Sequence, residues 1–254
     1  MIELTNITYQ YPGSPPVLQN FNWQVQRGER WAILGPSGCG KTTLLYLLAG
    51  LRFPTAGELH IDGKTLNRPR PQSGLILQGY GLLPWATVKE NAELGLRVRG
   101  FYGADGVHAP RAETPVDFNV VPWLERLGLA ELSAKYPSQL SGGQRQRTAI
   151  ARTLALRPDL LLMDEPFSSL DAVTRADLQK LTLELCDEQD LTLIIVTHAI
   201  EEAAMMGKKI LLLATPPNIT PDIIDNPHAG QANYRDSNKY NALTQNLRQR
   251  META

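Results

Sequence analysis

Gly35-Pro36-Ser37-Gly38-Cys39-Gly40-Lys41-Thr42-Thr43 is the stretch on which the reading of this sequence turns. An apolar run, Trp31 to Leu34, precedes it, and a second, Leu44 to Ala49, follows. Strand, glycine turn and helix start in that order match the Gly-x-x-x-x-Gly-Lys-[Ser/Thr] phosphate-binding loop. The residue types suit the chemistry. Gly35, Gly38 and Gly40 let successive backbone N–H groups curl into one concavity. A helix starting near Lys41 adds unpaired amides and its positive dipole end. Lys41 can reach β- and γ-phosphates, and the Thr42 hydroxyl is placed for Mg²⁺. The stretch predicts a nucleoside triphosphate site.

Bulk properties narrow the field. The 254 residues can hold one large domain or two small ones, and the net charge of −1 provides no general attraction to nucleic acid or an anionic membrane. Of the two cysteines, Cys39 lies inside the phosphate loop, where a disulfide is hard to accommodate, so a reducing compartment is expected. The N-terminus lacks the basic and apolar regions of a signal peptide, and apolar runs such as Leu191 to Val196 fall far short of the ~20 residues that cross a bilayer. A soluble cytoplasmic chain is expected, reaching a membrane only through a partner.

Along the chain, residues 2–11 and 21–25 alternate apolar and polar, which predicts antiparallel strands with one wet face. Gly57–Gly63 and Ser73–Gln78 read as further strands, and a helix is expected from Thr87 with Val88, Asn91, Ala92, Leu94 and Leu96 on one face. Gly103–Asn119 reads as an irregular loop, and Val121–Gly128 as a short helix closed by glycine. Leu160–Met163, Leu191–Val196 and Lys209–Ala214 are continuous and apolar, the signature of parallel strands buried on both faces. An edge strand within Ile219–Ile224 is expected, then a final helix with Tyr240, Leu243, Leu247 and Met251 on one face, capped by Asp236 or Ser237. The implied division is 1–78 and 157–215 as a nucleotide-binding core, 79–156 as a helical insert, and 216–254 as an extension.

A second glycine turn stands at Leu140-Ser141-Gly142-Gly143-Gln144, before a strongly helical run. Ser141 suits a helix N-cap, and the two glycines would admit an anion to the helix start. Alone, this reads as an ordinary capped helix. Asp164 and Glu165, however, end a buried strand. Strand alternation would turn them to opposite faces, one to support Mg²⁺ and the other to aim at an attacking water. Gln78, Asp171 and His198 add polar groups at the carboxyl ends of strands, where open α/β sheets bind ligands. Tyr11, at the end of the first strand, reads by itself as packing.

Taken together in this order, Gly35–Thr43, Gln78, Leu140–Gln144, Leu160–Pro166, Ser168–Asp171 and His198 resemble the ATP-binding cassette (ABC) ATPases over about residues 1–215. The resemblance implies a P-loop fold with a mixed, largely parallel sheet, an N-terminal antiparallel subdomain and a helical insert. It implies Tyr11 as an adenine-stacking aromatic, Gln78 as a sensor of Mg²⁺ and γ-phosphate, Glu165 as general base, Asp164 as Mg²⁺ support and His198 as γ-phosphate switch. Ser141, Gly142, Gly143 and Gln144 would contact ATP held by a second protomer. Leu82-Leu-Pro-Trp-Ala-Thr-Val-Lys-Glu-Asn91 and the tail from Arg235 are similar to ATPase subunits of bacterial nitrate, sulfonate and taurine importers. Gly103–Asn119 departs from that group's usually basic, helix-forming stretch. A membrane permease and a solute-binding protein are the implied partners, with no nucleic acid, and the implied place is the cytoplasmic face of the membrane. An exporter or lipoprotein-release ATPase, or a non-transport cassette, are the alternatives.

Overall fold

The computed structural model describes residues 1–109 and 119–253. Most of the expected Gly103–Asn119 loop therefore lies outside the described residues. Its described beginning is irregular: Asp105 Oδ1 accepts from the N–H groups of Val107 and His108, both at 2.8 Å.

In chain order the elements are β1 (Ile2–Gln10), β2 (Pro16–Val25), β3 (Arg30–Leu34), α1 (Lys41–Leu48), β4 (Ala56–Ile61), β5 (Lys64–Thr65) and β6 (Ser73–Ile76). Three helices follow, α2 (Val88–Tyr102), α3 (Val121–Arg126) and α4 (Gly142–Leu154). The chain then alternates through β7 (Leu160–Asp164), α5 (Ala172–Glu188), β8 (Thr192–Thr197), α6 (Ile200–Met206) and β9 (Lys209–Leu212) to β10 (Asp222–Asp225) and α7 (Asn238–Thr253).

They form two sheets. The smaller is antiparallel in the order β2-β1-β4-β5, and the larger runs β10-β9-β3-β8-β7-β6. Within the larger sheet the five strands from β9 to β6 are parallel, and β10 closes one edge antiparallel to β9. This is the mixed sheet with a separate antiparallel layer that the sequence predicts, edge strand included.

Alternation within β3, β7 and β8 explains why their sequences are apolar throughout. Trp31, Ile33, Leu160, Leu162, Ile194 and Val196 face α1 and the small sheet. Ala32, Leu34, Leu161, Met163, Leu193 and Ile195 face the helices on the other side. Each fully buried Leu or Ile contributes roughly 1.5–3 kcal/mol, so helices on both faces follow from the strands themselves.

Two details differ from the sequence reading. β6 stops at Ile76, because the Tyr80 N–H turns back to the Leu77 carbonyl at 2.9 Å, so Gln78 projects from a turn and not from a strand. β2 starts at Pro16, earlier than the alternating run, with Gln10 opposite Pro16 at the sheet margin, where a missing N–H is tolerated. The final helix packs on α6 and is capped by Ser237, whose Oγ accepts from the Tyr240 N–H at 3.2 Å.

Candidate functional site

β3 is a central strand with parallel neighbours on both sides, and the chain leaves its carboxyl end through Gly35–Gly40. In such sheets ligands bind in the crevice outside the carboxyl ends of the strands. Two glycines are fixed by space. A Cβ on Gly35 would lie 2.4 Å from the Leu213 carbonyl oxygen and 2.7 Å from Cys39 Sγ. Gly40, at φ 107°, would press a Cβ to 2.4 Å from Val17. Gly40 is also the N-cap of α1, and with no side chain it leaves the first amides of that helix without a side-chain partner.

Lys41 is buried, and its ammonium donates to the carbonyls of Gly35 and Pro36, both at 2.8 Å, so the cation is held inside the curl of the loop. Cys39 is buried beside it, and burial pushes its thiol up against the opposing pull of Lys41. Ser37, Gly38 and Thr42 are exposed on the rim, while Thr43 points inward and shares a 2.9 Å hydrogen bond with the Tyr11 hydroxyl. The Tyr11 ring is edge-on to Tyr9, with the Arg52 guanidinium 4.9 Å from its centroid. The strand-end aromatic is thereby fastened to α1, half-buried at the margin of the core.

The ends of β6, β7 and β8 bring a second group of side chains to the same edge. Thr42 Oγ1 donates to Asp164 Oδ1 at 3.2 Å. Burial holds the Asp164 carboxyl above its ordinary range, and the charge of Glu165 adds to this; Thr42 and Lys41 oppose it. Gln78 Nε2 donates to Glu165 Oε2 at 3.1 Å, and His198 Nδ1 lies 3.0 Å from Glu165 Oε1. Glu165 is thus an acceptor carboxylate held between an amide and an imidazole. The two acids are separated as expected, but by another device. β7 ends at Asp164, and Glu165 has left the strand at φ 44°, so a left-handed turn, not strand alternation, parts them.

Thr42 and Asp164, with Gln78 close by, offer a sparse set of oxygen donors, one of them a buried carboxylate. That set suits a hard cation that keeps waters and phosphate oxygens of its own, as Mg²⁺ does, and not an all-protein cage.

Ser141–Gln144 are not brought to this edge. Ser141 caps α4 by accepting from the Gln144 N–H at 3.3 Å, and Gln144 Oε1 accepts from the Ser141 N–H at 2.9 Å. Among the described residues, no hydrogen bond joins this turn to residues 35–43. Asp171 caps α5, accepting from the N–H groups of Val173 at 3.1 Å and Thr174 at 3.0 Å, bonds that lower its pKa.

Three contributors escaped the sequence reading. Asn218 Nδ2 donates to the Cys39 carbonyl at 2.9 Å, bracing the phosphate loop from a segment that reads only as polar tail. Arg52, over Tyr11, gives no signal in its own neighbourhood. Tyr80 shares a 2.7 Å hydrogen bond with Ser169.

Comparison with known proteins places these features in a family. A family model described as ABC transporter matches residues 18–168. The aliphatic sulfonates import ATP-binding protein SsuB of Bacillus anthracis is 37% identical over 224 residues, covering 88% of this chain and 84% of that protein. The taurine import ATP-binding protein TauB of Escherichia coli O157:H7 is 40% identical over 217 residues, covering 85% of this chain and 81% of that one. A dimeric structure of MJ0796, a bacterial ABC transporter cassette, superposes with a TM-score of 0.73 at 32% identity, covering 89% of this chain and 98% of that one.

Proposed function

The chain belongs to the ABC transporter family, and we propose that it is the ATP-hydrolysing subunit of an importer for a small anionic or zwitterionic solute of the sulfonate or taurine kind. The observation that carries the enzymatic part is the position of Glu165, held at 3.1 Å by Gln78 and at 3.0 Å by His198 at the rim of the phosphate loop.

In this reading, residues 35–43 cradle the phosphates, with the amides of the loop and of the α1 start donating to their oxygens. Lys41 exchanges its two carbonyl partners for phosphate oxygens as ATP enters. The adenine stacks on the Tyr11 face away from Arg52. Thr42 and Asp164, with Gln78, would hold Mg²⁺, which neutralises charge building on the phosphates. Glu165 accepts the proton of the attacking water; Gln78 orients that water, and His198 holds the γ-phosphate oxygens.

Ser141, Gly142, Gly143 and Gln144 serve the nucleotide of a second protomer, which supports a head-to-tail dimer enclosing two ATP molecules. Asp171 acts indirectly, by ordering the Ser168–Asp171 loop that such a dimer would bring close to the nucleotide. Residues 79–156 form the helical part that meets the permease. There Trp85 is 73% exposed, beside half-buried Leu82 and Leu83, an apolar surface available to a membrane partner. Among the described residues no helix is long and apolar enough to cross a membrane, so the translocation path falls to that permease, with a solute-binding protein on its far side. The subunit works at the cytoplasmic membrane face.

The test is Glu165→Gln, which keeps the Gln78 contact and removes the base. Hydrolysis falls about 10²–10⁴-fold while ATP binding persists, read by phosphate release and equilibrium nucleotide binding. Hydrolysis at the wild-type rate would remove Glu165 from its role.

A further inference from the structure

Tyr80 stands where three parts of the molecule meet. It follows Gln78 by two residues, and its backbone is left-handed at φ 63°, a conformation that a bulky aromatic adopts only when its surroundings impose it. Those surroundings are specific. Its N–H is bonded to the Leu77 carbonyl at 2.9 Å. Arg152, from α4, donates to the carbonyls of Tyr80 at 2.8 Å and Gly81 at 2.5 Å. The turn is therefore anchored to α4 through its backbone.

The Tyr80 side chain runs to the other end of α4. The Arg145 guanidinium lies 5.8 Å from the ring centroid. The hydroxyl shares a 2.7 Å hydrogen bond with Ser169 Oγ, in the loop that leads from Glu165 to Asp171. A Cβ at Gly142 would lie 3.6 Å from the same hydroxyl and 3.1 Å from Leu170 of that loop. The hydroxyl thus sits against the first residue of α4 and the loop at once. Gln78 and Glu165 belong to the nucleotide that the chain holds itself. Gly142, on the proposed reading, belongs to the nucleotide of the partner.

We infer that Tyr80 is a positioning residue which latches the Gln78 turn to the start of α4 and to the Ser168–Asp171 loop, so that the two nucleotide sites of a dimer respond together. This rests on the dimer reading given above. Tyr80 touches no reacting atom; it acts through Gln78 on one side and Gly142 on the other.

Tyr80→Phe and Ser169→Ala each remove one hydroxyl and leave the packing in place. In the full-length chain each lowers kcat about three- to tenfold, the effect of one lost hydrogen bond, while KM for ATP stays within about twofold. The double variant is no slower than either single one, because both break the same bond. Wild-type kcat in Tyr80→Phe overturns the latch, as do multiplying effects in the double variant or a KM that shifts in step with kcat. Amide hydrogen exchange without nucleotide supplies a measurement independent of hydrolysis. Tyr80→Phe speeds exchange at residues 168–171 and 141–144 and leaves the central strands unchanged. Unchanged exchange there also overturns the latch, whatever the ATPase does. A wild-type chain that fails to hydrolyse ATP counts against the ATPase reading, and the exchange experiment still decides the latch.

Discussion

The molecule carries two glycine turns that open helices, and they are finished differently. At Gly35–Thr43 the N-cap is Gly40, which offers no side-chain acceptor, and the Lys41 ammonium is folded into the loop. At Leu140–Gln144 the N-cap is Ser141, and a reciprocal box with Gln144 satisfies the end of α4 from within. An uncapped helix start inside a curl of amides is incomplete until an anion arrives. In the capped one the Ser141 and Gln144 N–H groups are satisfied beforehand. On the proposed reading the first turn is filled by the chain's own ligand, and the second is presented to one that another molecule brings.

The largest effect that sharpens this contrast is expected from Lys41→Ala. Removing the cation from the first turn lowers kcat/KM for ATP about 10²–10³-fold, measured by steady-state phosphate release. Gly142→Asp, which sets a like charge where the partner's phosphates would approach, lowers hydrolysis about 10²-fold, with ATP binding to the chain's own loop retained. Mixing the two inactive variants is the sharper test. In a mixed dimer one site has an intact phosphate loop from the Gly142→Asp chain and an intact second turn from the Lys41→Ala chain. Activity returns on mixing if the turns serve one another across the dimer; no recovery at any ratio breaks the comparison.

Smaller effects separate the turns by stability. Ser141→Ala removes the cap of α4 and costs about 1 kcal/mol, a fall in melting temperature of roughly 2–4 °C without nucleotide. Asp164→Asn acts in the opposite sense at the first site. Burial raises the Asp164 pKa in the folded protein, so the folded state holds that proton more tightly than the unfolded chain. Its ionised form at neutral pH therefore costs stability, and that cost disappears as the pH falls below the ordinary carboxylate range. The amide raises stability by about 1 kcal/mol at pH 7, and the gap to wild type narrows as the pH approaches about 4. A gap that widened on acidification would reverse the sign argued for this carboxyl.

Much of this was legible in the residues. Unbroken apolar runs at Leu160 and Leu191 gave buried parallel strands because only a strand covered on both faces has no use for polar alternation. The phosphate loop was legible because its motif is contiguous in the chain, although the atoms that leave Gly35 and Gly40 no room for a Cβ include the distant Leu213 carbonyl and Val17. Ser141 announced its cap, since the box closes within four residues. The separation of Glu165 from Asp164 was expected for a different reason, because the left-handed backbone of a single non-glycine residue gives no signal in the sequence. Asn218, Arg52 and Tyr80 were silent, each joining partners far away in the chain.

The sequence alone determined most of what depends on near neighbours: the principal strands though not all their ends, where the glycine turns lie, which helix start is capped and which is open. Tertiary structure decided what depends on where strand ends fall together. Only the order β9-β3-β8-β7-β6 puts Gln78, Glu165 and His198 within 3.1 Å contacts beside a loop that departs from another strand. The physical reason is range. Backbone sterics and capping act within a turn or two, whereas this contact is set by the register of strands paired across much longer stretches of chain.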